Sequence, residues 1–241
     1  MARAFIGTSG FSYNHWKDGV FYPKGLSQRE WFSFYASQFD TVEINSTFYR
    51  LPRVEVFEGW YKKAPKDFVF VLKGSRFLSH VKKFKDPKEP WEIFYEKALI
   101  LKEKLGPILF QTPPSWQKDL SRLQNFLKIV PKNLRFAFEF RHPSWFNEEV
   151  YEVLKKFNAC LCFVSSLGWP TAEVFTADFI YVRFHGEERL YSSDYSDKKL
   201  KEWAQKFKKW LKDGRDVYAY FNNDALGYAP ENAKTLKRFL R

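Results

Sequence analysis

Acidic and imidazole side chains recur in this sequence at or just after the ends of short apolar runs. Glu43 and Glu139 lie near the ends of two such runs, and His142 and His185 come within two residues of an apolar residue that closes a run. Carboxylates and imidazoles are the side chains that most often move protons in enzymes, and both also bind metal ions. We therefore predict that these four residues are catalytic, either as acid–base groups or as ligands of a divalent metal ion.

Cations occupy similar positions in the sequence. Lys73, Arg141 and Arg183 stand at the ends of apolar runs, where only two carboxylates are available to neutralise them. A partly desolvated pocket with surplus cations favours an anionic ligand, and an arginine fork suits phosphate or carboxylate. The predicted substrate-binding set joins these cations to nearby amide and imidazole side chains, namely Asn45, Lys73, His80, Gln111, Arg141, Arg183, Asn222 and Asn223.

A purely structural interpretation of the same residues stays open. Glu43 and Glu139 could pair with the neighbouring cations, because a buried charge needs a partner of opposite sign. A histidine beside a strand end is often only a hydrogen-bonded structural residue, which applies most to His15 and His80. The Asn222-Asn223 pair could simply shape a turn.

The elements that would position these side chains follow from the hydrophobic pattern. Short runs rich in β-branched and aromatic residues alternate with longer amphipathic segments. The predicted strands are residues 4–7, 41–44, 68–72, 108–111, 135–140, 159–164, 180–184 and 217–221. The predicted helices are residues 27–38, 55–63, 91–105, 120–130, 148–157, 198–212 and 231–240. Ser27 with Glu30 matches a capping box, and Asn147, Asp197 and Pro230 suit helix caps or first turns.

Eight strands alternating with helices in 241 residues predict an α/β fold, a closed parallel (β/α)8 TIM barrel. The short link between strands six and seven, which contains Gly168 and Pro170, predicts a degenerate helix there. No linker divides the chain, so residues 1–241 are predicted to form a single domain. Catalytic residues of such barrels lie at the carboxyl ends of the strands, so the candidate residues are predicted to converge at the C-terminal mouth.

The two-residue period of a strand predicts which side chains point inward. In residues 135–140 the phenylalanines share one face, which suits packing against helices, while Glu139 and Arg141 share the other. The turn Gly7-Thr8-Ser9-Gly10 matches neither the dinucleotide fingerprint nor a phosphate-binding P-loop, so no nucleotide cofactor is expected.

Composition limits the class of protein and its partners. The formal net charge is +12 and aromatic residues make up 20% of the chain, which favours anionic partners such as phosphorylated small molecules or nucleic acid. No apolar run approaches the ~20 residues of a membrane span, so no membrane association is expected. Cys160 and Cys162 are suited to packing rather than to a disulfide, and residues 1–10 lack a signal peptide. A cytoplasmic location is therefore predicted.

Several motifs, in order along the chain, resemble those of the YecE-like family of uncharacterised TIM-barrel proteins. They are residues 7–10 with Trp16, 21–23, 42–49, 110–111 with 113–114, 139–142 with 144–146, 183–186 and 221–224. This resemblance covers almost the whole chain and implies the barrel, but it implies no activity. The Ser79-His80 pair fits the family pattern, whereas Ser165-Ser166 stands where that pattern leads us to expect an aspartate.

Three functions are consistent with these residues. The leading hypothesis is an enzyme, a phosphoester hydrolase, that acts on a phosphorylated or nucleic-acid-like anion. The second is a metal-free carbohydrate enzyme in which Glu43 and Glu139 form the catalytic pair. The third is a nucleic-acid-binding protein without catalysis, which uses positive charge and aromatic stacking.

Overall fold

The computed structural model describes residues 1–241 as an α/β protein in which every paired strand is parallel to its neighbours. The strands are β1 (Ala4–Thr8), β2 (Thr41–Ile44), β3 (Val69–Lys73), β4 (Leu105–Gln111), β5 (Phe136–Glu139), β6 (Cys160–Leu161), β7 (Phe163–Ser165), β8 (Phe179–Phe184) and β9 (Asp216–Phe221). The helices are α1 (Trp31–Gln38), α2 (Ser46–Tyr49), α3 (Val54–Lys63), α4 (Lys88–Ala98), α5 (Leu120–Ile129), α6 (Glu148–Lys156), α7 (Asp197–Lys212) and α8 (Tyr228–Leu240).

The prediction of one closed eight-stranded barrel is wrong. Hydrogen bonding divides the strands into a four-stranded sheet of order β1-β9-β8-β7 and a five-stranded sheet of order β2-β3-β4-β5-β6. Between β1 and β2 the ladder is reduced to a single bridge, from Ser9 to Glu43. The predicted sixth strand is divided at Cys162, so that β6 pairs with β5 and β7 pairs with β8.

Side-chain hydroxyls explain the break at Cys162. The backbone N–H of Leu161 donates to Thr176 Oγ1 at 2.8 Å, and that of Val164 donates to Thr171 Oγ1 at 3.0 Å. These two N–H groups are therefore satisfied by the segment 166–178 rather than by a neighbouring strand. That segment contains no helix, so the degenerate helix predicted there is also absent.

Two apolar cores follow from the two faces of the strands. An inner core joins side chains of both sheets, such as Val71 and Ala137 from one sheet and Tyr181 from the other. Phe136 and Phe138 instead lie in the larger outer core with the helices. The predicted alternation of inward and outward residues along this strand is confirmed, and Glu139 continues the inward row.

The predicted helix starts are only partly correct. Asn147 caps α6 by accepting a hydrogen bond from the Val150 N–H at 3.3 Å, as predicted. Ser27 donates its hydroxyl to Glu30 at 2.6 Å, but residues 28–30 form a turn and α1 begins about one turn later than predicted. None of the helices has the length and apolar character needed to cross a membrane.

The close approach of β1 to the start of β2 requires glycine at position 7. A Cβ atom on Gly7 would overlap the backbone carbonyl oxygen of Thr41 and lie 2.9 Å from the Tyr35 hydroxyl. We expect Gly7→Ala to lower the free energy of unfolding by about 1–3 kcal/mol, as overpacking usually does. Urea unfolding monitored by circular dichroism measures this difference.

Gly59 offers the matched control for that substitution. It lies inside α3, and a Cβ atom there would meet nothing within 4 Å. Gly59→Ala should therefore stabilise the protein by about 0.5–1 kcal/mol through helix propensity. Equal effects of the two alanines would show that the contact between β1 and Thr41 is not tight.

Candidate functional site

A cavity of about 730 Å³ opens beyond the carboxyl ends of β1, β2, β3, β4 and β9. Its aromatic lining residues are Phe11, Tyr13, Phe48, Tyr49, Trp60 and Tyr191. Its charged, imidazole and amide lining residues are Asn45, Lys73, Arg76, His80, Gln111, Asn222 and Asp224. The loops that follow these strands thus bring polar side chains to one aromatic-walled space.

A buried ion-pair network lies next to the cavity on the inward faces of β2, β5 and β8. Arg183 donates to Glu43 Oε1 at 2.7 Å and to Glu139 Oε2 at 2.6 Å, so one guanidinium joins both carboxylates. The hydroxyl of Tyr181 donates to Glu43 Oε2 at 2.6 Å. Arg183, Glu43 and Glu139 are all 0% exposed. The structural alternative, in which the glutamates neutralise buried cations, matches this geometry.

Arg141 and His185 extend the network toward the loops. Arg141 pairs with Glu139, and its guanidinium lies 4.0 Å from the ring centroid of Trp169. His185 Nε2 lies 3.4 Å from Glu139 Oε2, and its Nδ1 lies 3.2 Å from the side-chain nitrogen of Asn222. His185 therefore links the buried carboxylate to an amide of the cavity wall.

Burial and charge act in opposite directions within this network. Burial opposes ionisation of Glu139, but Arg141 and Arg183 together hold the pKa of its carboxyl well below the usual range. Burial also disfavours a charged His185, and it lowers the pKa of the imidazole to about 4 in spite of the adjacent Glu139. At neutral pH Glu139 is therefore a carboxylate and His185 a neutral imidazole.

Lys73 differs from Arg141 and Arg183 because it faces the cavity without a carboxylate partner. Its Nζ donates to Gln111 Oε1 at 2.9 Å and lies 4.3 Å from the ring centroid of Phe48. The residue is 7% exposed. Burial and then the nearby Arg183 lower the pKa of Lys73 to about 7.

His80 and Asp224 complete the titratable lining. His80 Nδ1 lies 3.0 Å from Ser79 Oγ, and burial, followed by the charges of Lys73 and Arg76, lowers the pKa of this imidazole to about 4. Asp224 Oδ2 lies 3.3 Å from His15 Nε2, and burial raises the pKa of the carboxyl. The one carboxylate of the lining therefore already has a histidine partner.

The structure separates the predicted site residues into three groups. The first group forms the buried network and consists of Glu43, Glu139, Arg141, Arg183 and His185. The second group lines the cavity and consists of Asn45, Lys73, His80, Gln111 and Asn222. The third group, His142 and Asn223, does neither.

His142 and Asn223 have local structural contacts instead. His142 accepts a hydrogen bond from the Ser144 N–H at 3.1 Å and caps the short turn Pro143–Trp145. Asn223 is buried and donates to Ser193 O at 2.9 Å and to Asn232 at 2.8 Å, which fastens the loop after β8 to α8. His142 was predicted to be catalytic and Asn223 to bind the substrate, but neither side chain lines the cavity.

The predicted direct contact between Arg183 and an anionic ligand also does not match the structure. Both ends of its guanidinium are occupied by carboxylates, and no part of the side chain is open to solvent. Arg76, which sequence reasoning missed, lines the cavity instead. The signal for it was its position three residues after Lys73, in the loop that follows the same strand.

A divalent metal ion, which the glutamates and histidines could have bound, does not match their arrangement. No group of three or more histidine, cysteine, aspartate or glutamate side chains could hold a metal ion together. Glu43 and Glu139 direct carboxylate oxygens at Arg183 rather than at a shared point. In this geometry the guanidinium of Arg183 takes the place between the two carboxylates that a shared metal ion would need.

The chain as a whole matches a known protein family. Residues 5–241 match the family described as "Protein of unknown function DUF72". The chain belongs to the DUF72 family. This membership confirms the YecE-like resemblance, since relatives named YecE and YunF also match the sequence.

The relatives extend over different shares of the chain. The UPF0759 protein YunF of Bacillus subtilis is 25% identical over 98% of this chain and 94% of its own. The UPF0759 protein YecE of Escherichia coli K12 is 30% identical over 46% of this chain and 42% of its own. None of these names states a substrate or a reaction.

Solved DUF72 structures have the same fold. A protein of this family from Thermotoga maritima is 32% identical, covers 99% of both chains and has a TM-score of 0.87. A second, from Enterococcus faecalis, is 22% identical with a TM-score of 0.84, over 98% of this chain and 95% of its own. The arrangement of strands and helices is thus shared with these two proteins.

Proposed function

We propose that this DUF72 protein is an enzyme that acts on a small phosphorylated molecule containing a ring, bound in the cavity. The observation that carries the proposal is the charge of the lining. Arg76 and, when protonated, Lys73 face the cavity with no carboxylate within ion-pair distance, whereas the single lining carboxylate, Asp224, lies 3.3 Å from His15 Nε2. A space with surplus cations and partly buried walls attracts an anion, and arginine binds phosphate oxygens in two hydrogen bonds.

The walls of the cavity support a ring-bearing ligand. Phe11, Phe48 and Tyr191 offer aromatic surfaces, and Gln111 and Asn222 offer amide groups that can hydrogen-bond to ring substituents. A volume of about 730 Å³ lies within the usual range for small-molecule sites. Such a space suits one nucleotide or sugar phosphate, which favours a small ligand over the nucleic-acid-binding alternative.

The roles of the two glutamates differ in this proposal from those expected of a hydrolase. A glycosidase pair must reach the sugar, and a base in phosphoester hydrolysis must reach the attacking water. Glu43 and Glu139 are completely buried and are bonded to Arg183. We therefore propose that the two glutamates have a structural role and that His80 transfers protons.

Replacing Arg76 with alanine tests the anion site. We expect the Kd for adenosine 5′-monophosphate to rise about tenfold or more, because a charged hydrogen bond contributes about 1.5–3 kcal/mol. Isothermal titration calorimetry at fixed salt measures the change. Lys208→Ala, which removes an exposed lysine of α7, should leave the Kd nearly unchanged.

Equal losses in the two variants would indicate diffuse attraction to a positively charged surface. In that case the specific cavity would be rejected as the binding site. Failure of the wild-type protein to bind either inorganic phosphate or the nucleotide would reject the proposed function itself.

We also propose that the protein is located in the cytoplasm. Cys160 and Cys162 are both free and buried. Unpaired cysteines are usual in the reducing cytoplasm, whereas exported proteins tend to pair theirs. Fractionation of cells that express the native protein would test the location.

A further inference from the structure

We propose that Lys73 is a nucleophile that forms an imine with an aldehyde or ketone group of the substrate. The proposed substrate is then a phosphorylated aldehyde or ketone. This inference rests on the proposed function, because the anion site is what would bring the carbonyl group to the lysine.

The contacts of Lys73 leave its amine available. Its Nζ has one hydrogen-bond partner, the neutral Gln111 side chain at 2.9 Å, and it faces the cavity. Lys104 shows what a structural lysine of the same 7% exposure looks like in this protein. Its Nζ donates to the carbonyl oxygens of Tyr61 and Ala64, both at 2.8 Å, and it lies outside the cavity. A lysine retained only for packing would be expected to resemble Lys104.

The side chain of Lys73 is also held in place for attack. The hydroxyl of Thr47 donates to the Lys73 backbone carbonyl at 2.7 Å and fixes the end of β3. The ring of Phe48 packs 4.3 Å from Nζ, and Gln111 orients one N–H from the neighbouring strand. A nucleophile on a strand end with such support is more precisely placed than one on a mobile loop.

Burial is the main reason why the amine of Lys73 can be unprotonated, and the surrounding charges act in both directions. Arg183 on β8 and Arg141 after β5 repel a proton on Nζ, while Glu43 on β2 and Glu139 on β5 attract one. Both carboxylates are already paired with arginines, so their attraction is offset.

Two further groups complete the surroundings of Lys73. Arg76 and His80 line the same cavity from the loop after β3; His80 is neutral at pH 7 because its pKa is about 4, and Arg76 has no carboxylate within ion-pair distance. With a pKa of about 7 instead of 10.5, a substantial fraction of Lys73 is unprotonated at pH 7, against roughly one molecule in three thousand for an ordinary lysine.

The reaction balances without an oxidant or a metal. The unprotonated Nζ attacks the carbonyl carbon, the C=O π bond becomes a hydroxyl, and a proton moves from nitrogen to oxygen to give a carbinolamine. Loss of that hydroxyl as water, with uptake of one proton, forms the protonated imine. Overall, the lysine ammonium and the carbonyl compound give an iminium ion and one water molecule.

Pyridoxal 5′-phosphate is a suitable probe because it combines an aldehyde, a phosphate and an aromatic ring. The full-length protein is incubated at pH 7 with less than one equivalent and then treated with sodium borohydride, which fixes any imine as a stable amine. Peptide mass spectrometry is expected to show at least tenfold more label on Lys73 than on the exposed Lys208. Labelling of Lys73 no greater than that of Lys208 would overturn the proposal.

Gln111→Glu provides a second readout that a merely structural lysine would not give. A carboxylate at that position would lie beside Nζ and favour its protonation. We expect the rate of Lys73 labelling at pH 7 to fall about tenfold and to recover above pH 9. An unchanged rate at both pH values would contradict the proposed role of the free amine.

A non-reactive analogue separates this inference from the proposed function. Pyridoxine 5′-phosphate carries an alcohol in place of the aldehyde, so it can bind but cannot form an imine. If it binds and Lys73 stays unlabelled by the aldehyde, the imine is rejected and the anion site stands. If it does not bind to the wild-type protein, the anion site is rejected, and the inference fails with it.

Discussion

Replacing Arg183 with methionine is expected to lower the free energy of unfolding by about 3–5 kcal/mol, the usual cost of breaking a buried ion pair from one side. Arg183 is the only link between Glu43 and Glu139, and all three side chains are 0% exposed. Methionine fills a similar volume but leaves Glu43 without a cationic partner. Urea unfolding at pH 7, monitored by circular dichroism, measures the loss.

Two further variants test whether burial of the ion pair is the cause of this loss of stability. Arg122 pairs with Asp119 at 3.1 Å, with each side chain about one-third exposed, so Arg122→Met should cost no more than about 1 kcal/mol. Adding Glu43→Gln to Arg183→Met should restore part of the lost stability, because Glu139 still has Arg141 as a partner. A loss from Arg183→Met as small as that from Arg122→Met would mean that the network does not stabilise the fold.

Many of the inward-facing side chains of β5 and β8 could be predicted from the sequence, because successive side chains of a strand point to opposite faces. Alternation along residues 135–140 placed Glu139 on the inward side, opposite Phe136 and Phe138, and the structure agrees. The same two-residue period puts Tyr181 and Arg183 on one face of β8, and both contact Glu43. Period two is a property of the backbone itself, so a single sequence is enough to read it.

The division into two sheets could not be read in the same way. Counting strands indicates how many there are but not whether the ladder is continuous. The break at Cys162 depends on Thr171 and Thr176, whose hydroxyls bind the N–H groups of Val164 and Leu161. Such contacts between a loop and a strand leave no periodic signal in the sequence.

The candidate site was only partly predictable for a related reason. Position at a strand end identified Lys73, Gln111 and Asn222, which line the cavity. It could not show that Arg183 is occupied by carboxylates, since pairing depends on which inward side chains meet. Tyr191 was missed because it comes from the long loop after β8, where its N–H donates to the His185 carbonyl at 2.5 Å.

The Ser165-Ser166 pair, which replaces an expected aspartate, also has a structural account. Tyr195 donates its hydroxyl to the Ser165 backbone carbonyl at 2.9 Å and lies 3.1 Å from its side-chain oxygen. Neither serine lines the cavity. In this protein the position serves to anchor the loop after β8, and the cavity does not depend on a carboxylate there.

Protonation of His185 is expected to make stability depend strongly on pH. The pKa of its imidazole is about 4 in the folded protein, chiefly through burial, against an ordinary value of 6.5. Between these values the unfolded chain binds a proton that the folded protein does not, so stability falls as pH decreases from 6.5 to 4. A difference of this size corresponds to about 3 kcal/mol. Glu139 acts in the same direction only below its ordinary pKa, because its folded pKa is also depressed.

His185→Gln isolates this contribution, since glutamine can still bond to Asn222 but does not titrate in this range. We expect the variant to lose about 3 kcal/mol less stability than the wild type between pH 6.5 and pH 4. His80, whose pKa is also lowered to about 4 by burial, should account for part of the remaining pH dependence. Its contribution should be smaller than that of His185 because the side chain is only partly buried. Urea unfolding at several pH values measures this dependence, and identical pH profiles for His185→Gln and the wild type would show that His185 is not held neutral by burial.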